Sequence, residues 1–309
     1  VAVLGKRQPG SSFKPMVYAA AFEKGFTPDT VLYDVKTNFD QRANENYTPQ
    51  NYSGKEYGLV TMRQALQGSL NITAVKTLYL VGVKNAIDFA KRFGYTTFTG
   101  DYGLSLVLGG GEVNLLEHTA AYATIANEGV YYKPVSILSV TDNKNNEIYK
   151  IKIDKGKEVI KKELAATISN VLSDNSARSY IFGAYSKLTL ADRSVAAKTG
   201  TTNDYKDAWT MGYTPSLAVG VWVGNTTPST MKGGGEMLAT PIWNKFMTET
   251  LKGTPIEKFT NPPANTAKNP ILRGKSGGIE LEINKKTGKI SSSSTPKEFA
   301  DGLATKSIA

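Results

Sequence analysis

Residues 194–225 read SVAAKTGTTNDYKDAWTMGYTPSLAVGVWVGN and include the longest clearly apolar stretch of the chain, Leu217–Val223. Turn-forming residues interrupt this tract at Asn203-Asp204 and at Pro215. They divide it into three predicted strands, Ser194–Thr201, Ala208–Tyr213 and Leu217–Asn225. Because consecutive strands with such short connections pair in the antiparallel sense, we predict an antiparallel meander.

Segments with a helical spacing of apolar residues lie on both sides of this meander in the sequence. A helix is predicted over residues 12–23, starting at or near Ser11, because Pro and Gly punctuate both of its ends. Another is predicted over Pro241–Leu251, with Pro241 in the first turn, where proline is tolerated. The remaining predicted helices are Thr61–Leu66, Ile72–Leu80, Lys84–Phe93, Leu115–Asn127 and Lys161–Asp174. Together these elements predict an α+β fold in which helices flank an antiparallel sheet.

Two other stretches have a distinct character. Residues 34–60 carry Asn, Asp, Pro, Gly and Tyr without a sustained period, which predicts a long surface connection. Connections of this length are often functional. Val135–Val140 and Glu147–Ile153 alternate in polarity and predict a hairpin that turns at Asp142-Asn143.

The end of the chain differs from the rest. From Thr260 onward, Pro and Gly predict a linker, which is followed by a small hairpin turning at Thr287-Gly288 and by a frayed tail from Ser291. We therefore expect one main domain over residues 1–259 and a linker with a small C-terminal hairpin and tail over residues 260–309.

The composition excludes several kinds of site. The chain has 37 Lys and Arg against 27 Asp and Glu, a formal net charge of +10, one His and no Cys. It therefore has no disulfide, thiolate nucleophile or Cys-type metal site, and one His cannot build a His-rich centre, so we predict no metal and no cofactor. The basic residues are scattered, which argues against a nucleic-acid partner. Every apolar stretch is far shorter than the roughly 20 residues that a membrane helix needs.

Three short motifs carry the candidate chemistry: Ser11-Ser12-Phe13-Lys14, Ser69-Leu70-Asn71 and Lys198-Thr199-Gly200-Thr201. On a helix, Ser11 and Lys14 lie on one face. A serine hydroxyl needs a base, and with a single His in the chain a lysine amine is the available one. The amine must be neutral, which burial and a nearby cation such as Lys198 would favour. Taken alone, each motif is a weak signal, and a helix-capping Ser11 with a solvated Lys14 explains the first.

The order of the three motifs resembles the Ser-x-x-Lys, Ser-Asp-Asn and Lys-Thr-Gly signature of penicillin-binding proteins and class A β-lactamases, although the middle motif here reads Ser-Leu-Asn. The flanking sequences are similar to the transpeptidase domain of bifunctional, class A penicillin-binding proteins in six segments: Gln8–Lys14, Tyr47–Tyr52, Val60–Ala74, Leu108–Gly129, Ala197–Thr202 and Asp207–Asn225. The resemblance covers most of residues 1–255. It implies the fold of that domain, an antiparallel sheet flanked by helices with an adjoining helical subdomain.

The resemblance also implies a role for each catalytic residue. Ser11 is expected to be the acyl-accepting nucleophile and Lys14 its general base. Ser69 would relay a proton toward the leaving amine, and Asn71 would hold the substrate amide. Lys198 would keep the site positive and hydrogen-bond to Ser69.

On the Lys-Thr-Gly strand, the resemblance assigns substrate contacts. The hydroxyls of Thr199 and Thr201 are expected to bind the terminal carboxylate of the substrate. Gly200 would let the substrate backbone approach the strand edge. The backbone N–H groups of Thr201 and Ser11 would form the oxyanion hole. His118, in a predicted helix rich in Ala, Tyr and Leu, is interpreted as structural.

The implied function is a D,D-transpeptidase that acylates Ser11 with a peptidoglycan stem peptide ending in D-Ala-D-Ala and is inhibited by β-lactams. Alternatives on the same acyl-enzyme are a D,D-carboxypeptidase, a β-lactamase and a non-enzymatic β-lactam sensor. The Glu-x-x-Leu-Asn pattern of class A β-lactamases is absent between residues 71 and 198, since Glu112–Leu116 reads Glu-Val-Asn-Leu-Leu.

The resemblance further implies partners outside the chain. Only ten residues precede Ser11, where the family places sheet strands, a linker, a glycosyltransferase domain and a membrane anchor. We therefore expect an upstream segment of the same protein to complete the sheet. The expected location is the extracytoplasmic face of the bacterial cytoplasmic membrane, with the anchor outside this chain.

Overall fold

The computed structural model describes residues 2–40, 46–152, 154–276, 279–282 and 303–306. Its helices are α1 (Lys14–Glu23), α2 (Met62–Gln67), α3 (Asn71–Val81), α4 (Val83–Arg92), α5 (Leu115–Ala126), α6 (Lys162–Ser173), α7 (Asn175–Phe182) and α8 (Gly235–Leu251). Its strands are β1 (Val31–Asp34), β2 (Gly58–Thr61), β3 (Val130–Tyr131), β4 (Ser139–Thr141), β5 (Glu147–Lys150), β6 (Lys157–Glu158), β7 (Ala196–Thr201), β8 (Asp207–Tyr213), β9 (Ala218–Gly224), β10 (Ile279–Glu282) and β11 (Leu303–Lys306). The predicted α+β class is confirmed.

The central sheet contains three antiparallel strands in the order β7-β8-β9. The register between β7 and β8 is unbroken, from Ala196 opposite Tyr213 to Thr201 opposite Ala208. A short 3₁₀ turn at Asn203–Tyr205 joins the two strands. The predicted meander is therefore confirmed, with strands slightly shorter than expected.

Helices cover both faces of this sheet. A Cβ placed on Gly212 would meet Trp243 of α8, whereas one on the next strand at Gly220 would meet Thr119 of α5. Gly220 lies opposite Met211, the neighbour of Gly212. Because successive residues of a strand point to opposite faces, α8 and α5 cover opposite faces of the sheet.

Helix α1 is the central helix of the core. Residues 14–22 are all buried, and α1 contacts α3, α4 and α6. The sequence predicted one apolar face, but a helix surrounded by other elements must be apolar on all sides. The buried Lys14 at its first position is therefore exceptional. None of the helices in the described part of the chain is long and apolar enough to cross a membrane.

Several predictions for the smaller elements were incomplete. Strands β1 and β2 pair with each other at the two ends of the predicted surface connection. The hairpin β4–β5 is confirmed, although its strands are shorter than predicted. Helix α7 and the pair β3–β6 were not predicted. Asp174 begins α7, since its Oδ1 accepts a hydrogen bond of 2.9 Å from the Ala177 N–H, which is an N-cap contact.

The prediction that Pro241 lies in the first turn of a helix was wrong. Helix α8 begins at Gly235, so Pro241 lies inside it. The glycines at 233–235 obscured this start in the sequence. Gly235 is needed because a Cβ there would overlap the carbonyl oxygens of Trp209 and Gly200, so the helix begins in direct backbone contact with the sheet.

The terminal hairpin also differs from its prediction. Strand β10 pairs antiparallel with β11, so the tail is ordered as a strand at residues 303–306 and the prediction of fraying is wrong there. The predicted turn at Thr287-Gly288 lies outside the described residues.

Candidate active site

Ser11 lies in a 3₁₀ turn, Gly10–Phe13, that leads directly into α1. The predicted helix start near Ser11 is thus correct, although the α-helical part begins at Lys14. Ser11 is partly exposed, and its hydroxyl has no hydrogen-bond partner among the described residues. It is therefore available to a substrate.

The neighbouring serine has a different environment. Ser12 is fully buried, its hydroxyl donates to Pro9 O at 2.6 Å, and it lies 2.8 Å from Nε2 of His118. The other ring nitrogen of His118 lies 2.6 Å from the hydroxyl of Tyr95. Burial lowers the pKa of His118 to about 3, so its ring stays neutral. His118 therefore supports the turn that carries Ser11, as the structural interpretation predicted.

Lys14 is buried and directs its amine at the Ser69-Leu70-Asn71 segment. Nζ donates to Ser69 O and to Asn71 Oδ1, both at 2.7 Å, and to Leu70 O at 3.2 Å. Ser69 Oγ lies 3.5 Å from the same atom. No hydrogen bond joins Lys14 to Ser11 in the described structure, so the amine is held by the second motif. Catalytic hydrogen bonds are often long in the absence of substrate.

Burial and a neighbouring positive charge lower the pKa of both Lys14 and Lys198. Burial lowers the pKa of Lys14 well below its usual value, and the positive charge of Lys198 lowers it further. Burial lowers the pKa of Lys198 to about 7, with a second contribution from the charge of Arg178. Both effects favour the neutral form of the Lys14 amine more than in an exposed lysine, and a general base acts in that form.

Ser69 places its hydroxyl between the two lysines. Lys198 Nζ donates to Ser69 Oγ at 2.8 Å and to Thr199 O at 3.0 Å. Ser69 has a φ of 56°, in the left-handed region that a serine rarely adopts. Such a conformation typically costs about 1–3 kcal/mol and persists only where surrounding contacts enforce it. Here it brings the second motif between the first and the third.

Asn71 is the first residue of α3, and both ends of its side-chain amide are engaged. Oδ1 accepts from Lys14, and Nδ2 donates to Gln50 O at 2.8 Å. The structure therefore brings Lys14, Ser69 and Asn71 together, with Lys198 on the far side of Ser69. Of these contacts, the resemblance implied the hydrogen bond from Lys198 to Ser69.

Strand β7 is an edge strand, and alternate peptide groups along it point away from β8. Thr202 N donates to Asp207 O at 3.1 Å. Since hydrogen-bonded pairs alternate in an antiparallel ladder, the N–H of Thr201 points outward. Backbone contact with Thr201 leaves no room for a Cβ on Gly10, the neighbour of Ser11. The two N–H groups predicted for an oxyanion hole therefore come from adjacent segments.

The hydroxyls predicted for carboxylate binding lie on the same strand. Thr199 is buried, with 7% of its surface exposed, and Thr201 is partly exposed. Thr201 Oγ1 accepts a hydrogen bond of 3.0 Å from Gly235 N at the start of α8. Its hydroxyl hydrogen is therefore still free to be donated to a substrate.

Gly200 is required for a different reason from the predicted one. A Cβ at this position would overlap Pro9 O and would lie 2.9 Å from Ser12 Oγ. The missing side chain thus lets the turn that carries Ser11 pack against β7. The approach of the substrate backbone to Gly200 stays a prediction.

The family model described as penicillin-binding protein transpeptidase domain matches residues 2–248. The chain belongs to this transpeptidase family. Penicillin-binding protein 1A of Aquifex aeolicus (strain VF5) is 36% identical over 272 residues, which are 87% of this chain and 36% of that protein. The chain spans about a third of the length of the curated relatives it matches.

Solved structures of penicillin-binding proteins share the fold. The crystal structure of penicillin-binding protein 1A from Haemophilus influenzae superposes with a TM-score of 0.77 at 26% identity, covering 99% of this chain and 49% of that one. The PonA1 protein of Mycobacterium tuberculosis in complex with penicillin V gives a TM-score of 0.73 at 26% identity, covering 84% of this chain and 73% of that one. The resemblance seen in the sequence is thus confirmed.

One charged residue beside this transpeptidase site was not predicted from the sequence. Arg178 on α7 is 1% exposed, and its guanidinium donates to the carbonyl oxygens of Leu172 and Leu188. Its Nε has no partner in the described structure. Arg178 lines a small cavity with Lys198 and Thr199, which places a buried guanidinium group behind the site. No group of three or more His, Cys, Asp or Glu side chains that could hold a metal ion occurs in the described ranges.

The low pKa of Lys198 predicts a stability effect. Between about pH 7 and 10.5, the unfolded chain binds a proton at Lys198 that the folded protein lacks, so the free energy of unfolding should increase with pH. Lys198→Met removes this penalty and should raise the melting temperature at pH 7, by an amount that shrinks toward pH 10. Calorimetry of both proteins from pH 7 to 10 measures the difference, and a difference independent of pH would refute the low pKa.

Proposed function

We propose that this domain is a serine D,D-transpeptidase that acylates Ser11 with a peptidoglycan stem peptide and transfers the acyl group to the amine of a second strand. The observation that carries the proposal is the buried amine of Lys14, which is held at the second motif beside the Ser11 turn and forms no ion pair with a carboxylate in the described part of the chain. Burying a charged amine without a carboxylate partner is costly, which favours loss of its proton. A neutral amine beside an accessible serine hydroxyl is what nucleophilic catalysis without histidine requires.

In the acylation step, Ser11 Oγ attacks the carbonyl carbon of the penultimate D-Ala and its proton passes to Lys14 Nζ. The N–H groups of Ser11 and Thr201 stabilise the negative oxygen of the tetrahedral intermediate. The C–N bond then breaks, and the terminal D-Ala leaves as an amine that takes a proton from Ser69. Ser69 regains a proton from a lysine, since it lies 3.5 Å from Lys14 Nζ and 2.8 Å from Lys198 Nζ.

In the second step, the acceptor amine attacks the carbonyl carbon of the ester. The C–O bond to Ser11 then breaks, and the proton lost by the amine passes through the same groups to Ser11 Oγ. Lys198, with Arg178 behind it, gives the site a positive field that favours the terminal carboxylate of the donor peptide. The hydroxyls of Thr199 and Thr201 bind that carboxylate, and Asn71 holds the peptide amide. β-Lactams acylate Ser11 by the same route because their strained amide presents a carbonyl and a carboxylate.

We also propose that the whole protein acts on cell-wall peptide outside the cytoplasm. Matched segments of this chain cover only 36% and 34% of two relatives named penicillin-binding protein 1A, so those proteins are much longer than this chain. We propose that the rest of such a protein contains a membrane anchor and a glycosyltransferase domain. The division into a main domain, 1–259, and a linker with tail, 260–309, belongs to the same proposal.

The acyl-enzyme formed with penicillin should be long-lived. Hydrolysis of the ester needs a positioned water and a base. The segment Glu112–Leu116 lacks the β-lactamase pattern, and the side chain of Glu112 is exposed. The domain can be loaded with a fluorescent penicillin, freed of excess reagent and followed over time. We expect the label to persist for many minutes. Loss within seconds, with turnover of the antibiotic, would indicate a β-lactamase.

A further strand supplied from upstream is expected to pair with β9, whose outer edge has no partner strand among the described residues. Thr214 N donates to Leu217 O, so the alternating ladder points the N–H groups of Gly220 and Trp222 outward. Hydrogen exchange can compare these amides in the domain and in the longer protein. We expect marked slowing in the longer protein, and equal exchange rates would contradict the added strand.

A further inference from the structure

Asn51 is the residue of the 34–60 connection with the most complete set of contacts. Its side chain is buried, with 6% exposed. Nδ2 donates to Asp34 Oδ2 at 2.6 Å and to Lys55 O at 2.9 Å. Oδ1 accepts from Asn71 N at 2.7 Å and from Ile72 N at 3.3 Å. All four hydrogen-bonding positions of the amide are thus used, and no other side chain of similar size offers two donors and two acceptors.

These contacts place Asn51 at the N-terminus of α3. A helix begins with free N–H groups, which a side-chain oxygen of its own N-cap residue usually accepts. The N-cap residue of α3 is Leu70, which has no such oxygen, and no cap from within the helix is made. Asn51, 20 residues earlier in the chain, supplies the missing acceptor.

Asp34 fixes the orientation of the Asn51 amide. It is fully buried at the end of β1, and its Oδ2 accepts from both Asn51 Nδ2 and Tyr57 N, at 2.6 and 2.9 Å. Because a carboxylate accepts only, Asn51 must turn its NH₂ group toward Asp34 and its oxygen toward α3. Asp34 thereby selects which end of the amide faces Asn71.

Gln50, the residue before Asn51, binds the side chain of Asn71. Asn71 Nδ2 donates to Gln50 O at 2.8 Å, while Asn71 N donates to Asn51. Backbone and side chain of Asn71 are therefore both bound by residues 50–51. The remaining atom of its amide, Oδ1, receives the Lys14 amine at 2.7 Å. The chain of contacts runs from Asp34 through Asn51 and Asn71 to Lys14.

We infer that Asn51 and Asp34 are positioning residues that set Asn71, and through it the Lys14 amine, for acylation of Ser11. This inference rests on the proposed function, since it assigns the geometry of that site to residues outside its three motifs. A misplacement of about 1 Å at a reacting group can reduce a rate about 10²-fold. These contacts explain why residues 50–51 of a polar connection, which lie outside the three motifs, pack against the buried site.

A cap that only stabilised α3 would have different consequences. It would lower the melting temperature of every variant equally and would reduce acylation by the same factor whether or not Asn71 is present. A residue that acts through Asn71 loses its effect once the Asn71 side chain is gone. A double-mutant cycle separates the two, because only coupled residues give non-additive effects.

The experiment measures the second-order rate of acylation by a fluorescent penicillin, together with melting temperature, for Asn51→Ala, Asn71→Ala and the double variant. We expect Asn51→Ala to reduce the rate about 10- to 100-fold in the otherwise unchanged protein and less than about twofold in the Asn71→Ala background. Val81→Ala, at the opposite end of α3, is the matched control and should lower the melting temperature without a comparable loss of rate. Asp34→Ala, which removes the acceptor of Asn51 Nδ2, should show the same coupling to Asn71.

Each outcome has one meaning. Equal rate reductions in both backgrounds, or an Asn51→Ala variant that acylates at the unmodified rate, would overturn the positioning role. If Asn51→Ala does not fold, Asn51→Ser takes its place, since it keeps a small polar group but lacks the amide that contacts both Asp34 and α3. Failure of the proposed function would be seen separately, as absence of acylation of the unmodified protein at Ser11.

Discussion

Ser11→Ala is expected to abolish covalent labelling by penicillin, because Ser11 is the proposed nucleophile, whereas the Ser69 hydroxyl is held between Lys14 and Lys198 as the proposed proton relay. Ser12 is the matched control, since it neighbours Ser11 but is buried and bonded to Pro9 and His118. Ser12→Ala should cost about 1–3 kcal/mol of stability and keep one penicilloyl group per molecule. Intact-mass measurements of both variants after incubation with a penicillin provide the comparison.

An adduct of unchanged yield in Ser11→Ala would show that another residue is the nucleophile. Loss of the adduct in a folded Ser12→Ala protein, with the adduct kept in Ser11→Ala, would indicate that Ser12 is the nucleophile. Melting temperatures recorded beside the mass spectra separate loss of the nucleophile from loss of the fold.

Lys14→Ala is expected to reduce the acylation rate by about 10²- to 10⁴-fold, the usual contribution of a general base. Lys14→Arg should not restore the rate, because a guanidinium stays protonated and cannot accept the Ser11 proton. The acylation rate of the unmodified protein should increase with pH as Lys14 loses its proton, since burial and Lys198 lower its pKa. Stopped-flow acylation from pH 5 to 9 measures all three proteins.

The Arg variant and the pH profile are the two results that can contradict the assignment of Lys14 as the base. A Lys14→Arg variant that acylates near the unmodified rate at pH 7 would exclude Lys14 as the base. Replacement of Lys24, an exposed lysine of the same region, supplies the control, because it should leave the profile unchanged.

The central meander and most of the helices could be predicted from the sequence because their signals are local. Apolar alternation and turn residues mark the three strands, and helical spacing marks α1 through α5 within one or two residues of their observed bounds. Pro241 was misplaced because a run of glycines ordinarily marks a loop. At Gly235 the small residue instead allows backbone contact with β7 and β8, a tertiary reason that no local pattern contains.

The three motifs could be found because each has a fixed spacing and a known order. The hydrogen bond from Lys198 to Ser69 was implied by the resemblance. The contacts of Lys14 with the second motif were not, since Lys14 reaches Ser69 and Asn71 across more than fifty residues of chain. Arg178 and Asn51 were missed for a related reason. Neither belongs to a motif, and each acquires its role only when folding buries it behind Lys198 or against α3.

The measurement that tests the central claim most directly is the location of the penicillin adduct in the unmodified protein. Trypsin does not cleave before Pro15, so the relevant peptide runs from Gln8 to Lys24 and contains both Ser11 and Ser12. Fragment-ion spectra of this peptide distinguish the two serines. We predict a single penicilloyl group on Ser11, and an adduct on any other residue, or none in the folded protein, would contradict the assignment of this site.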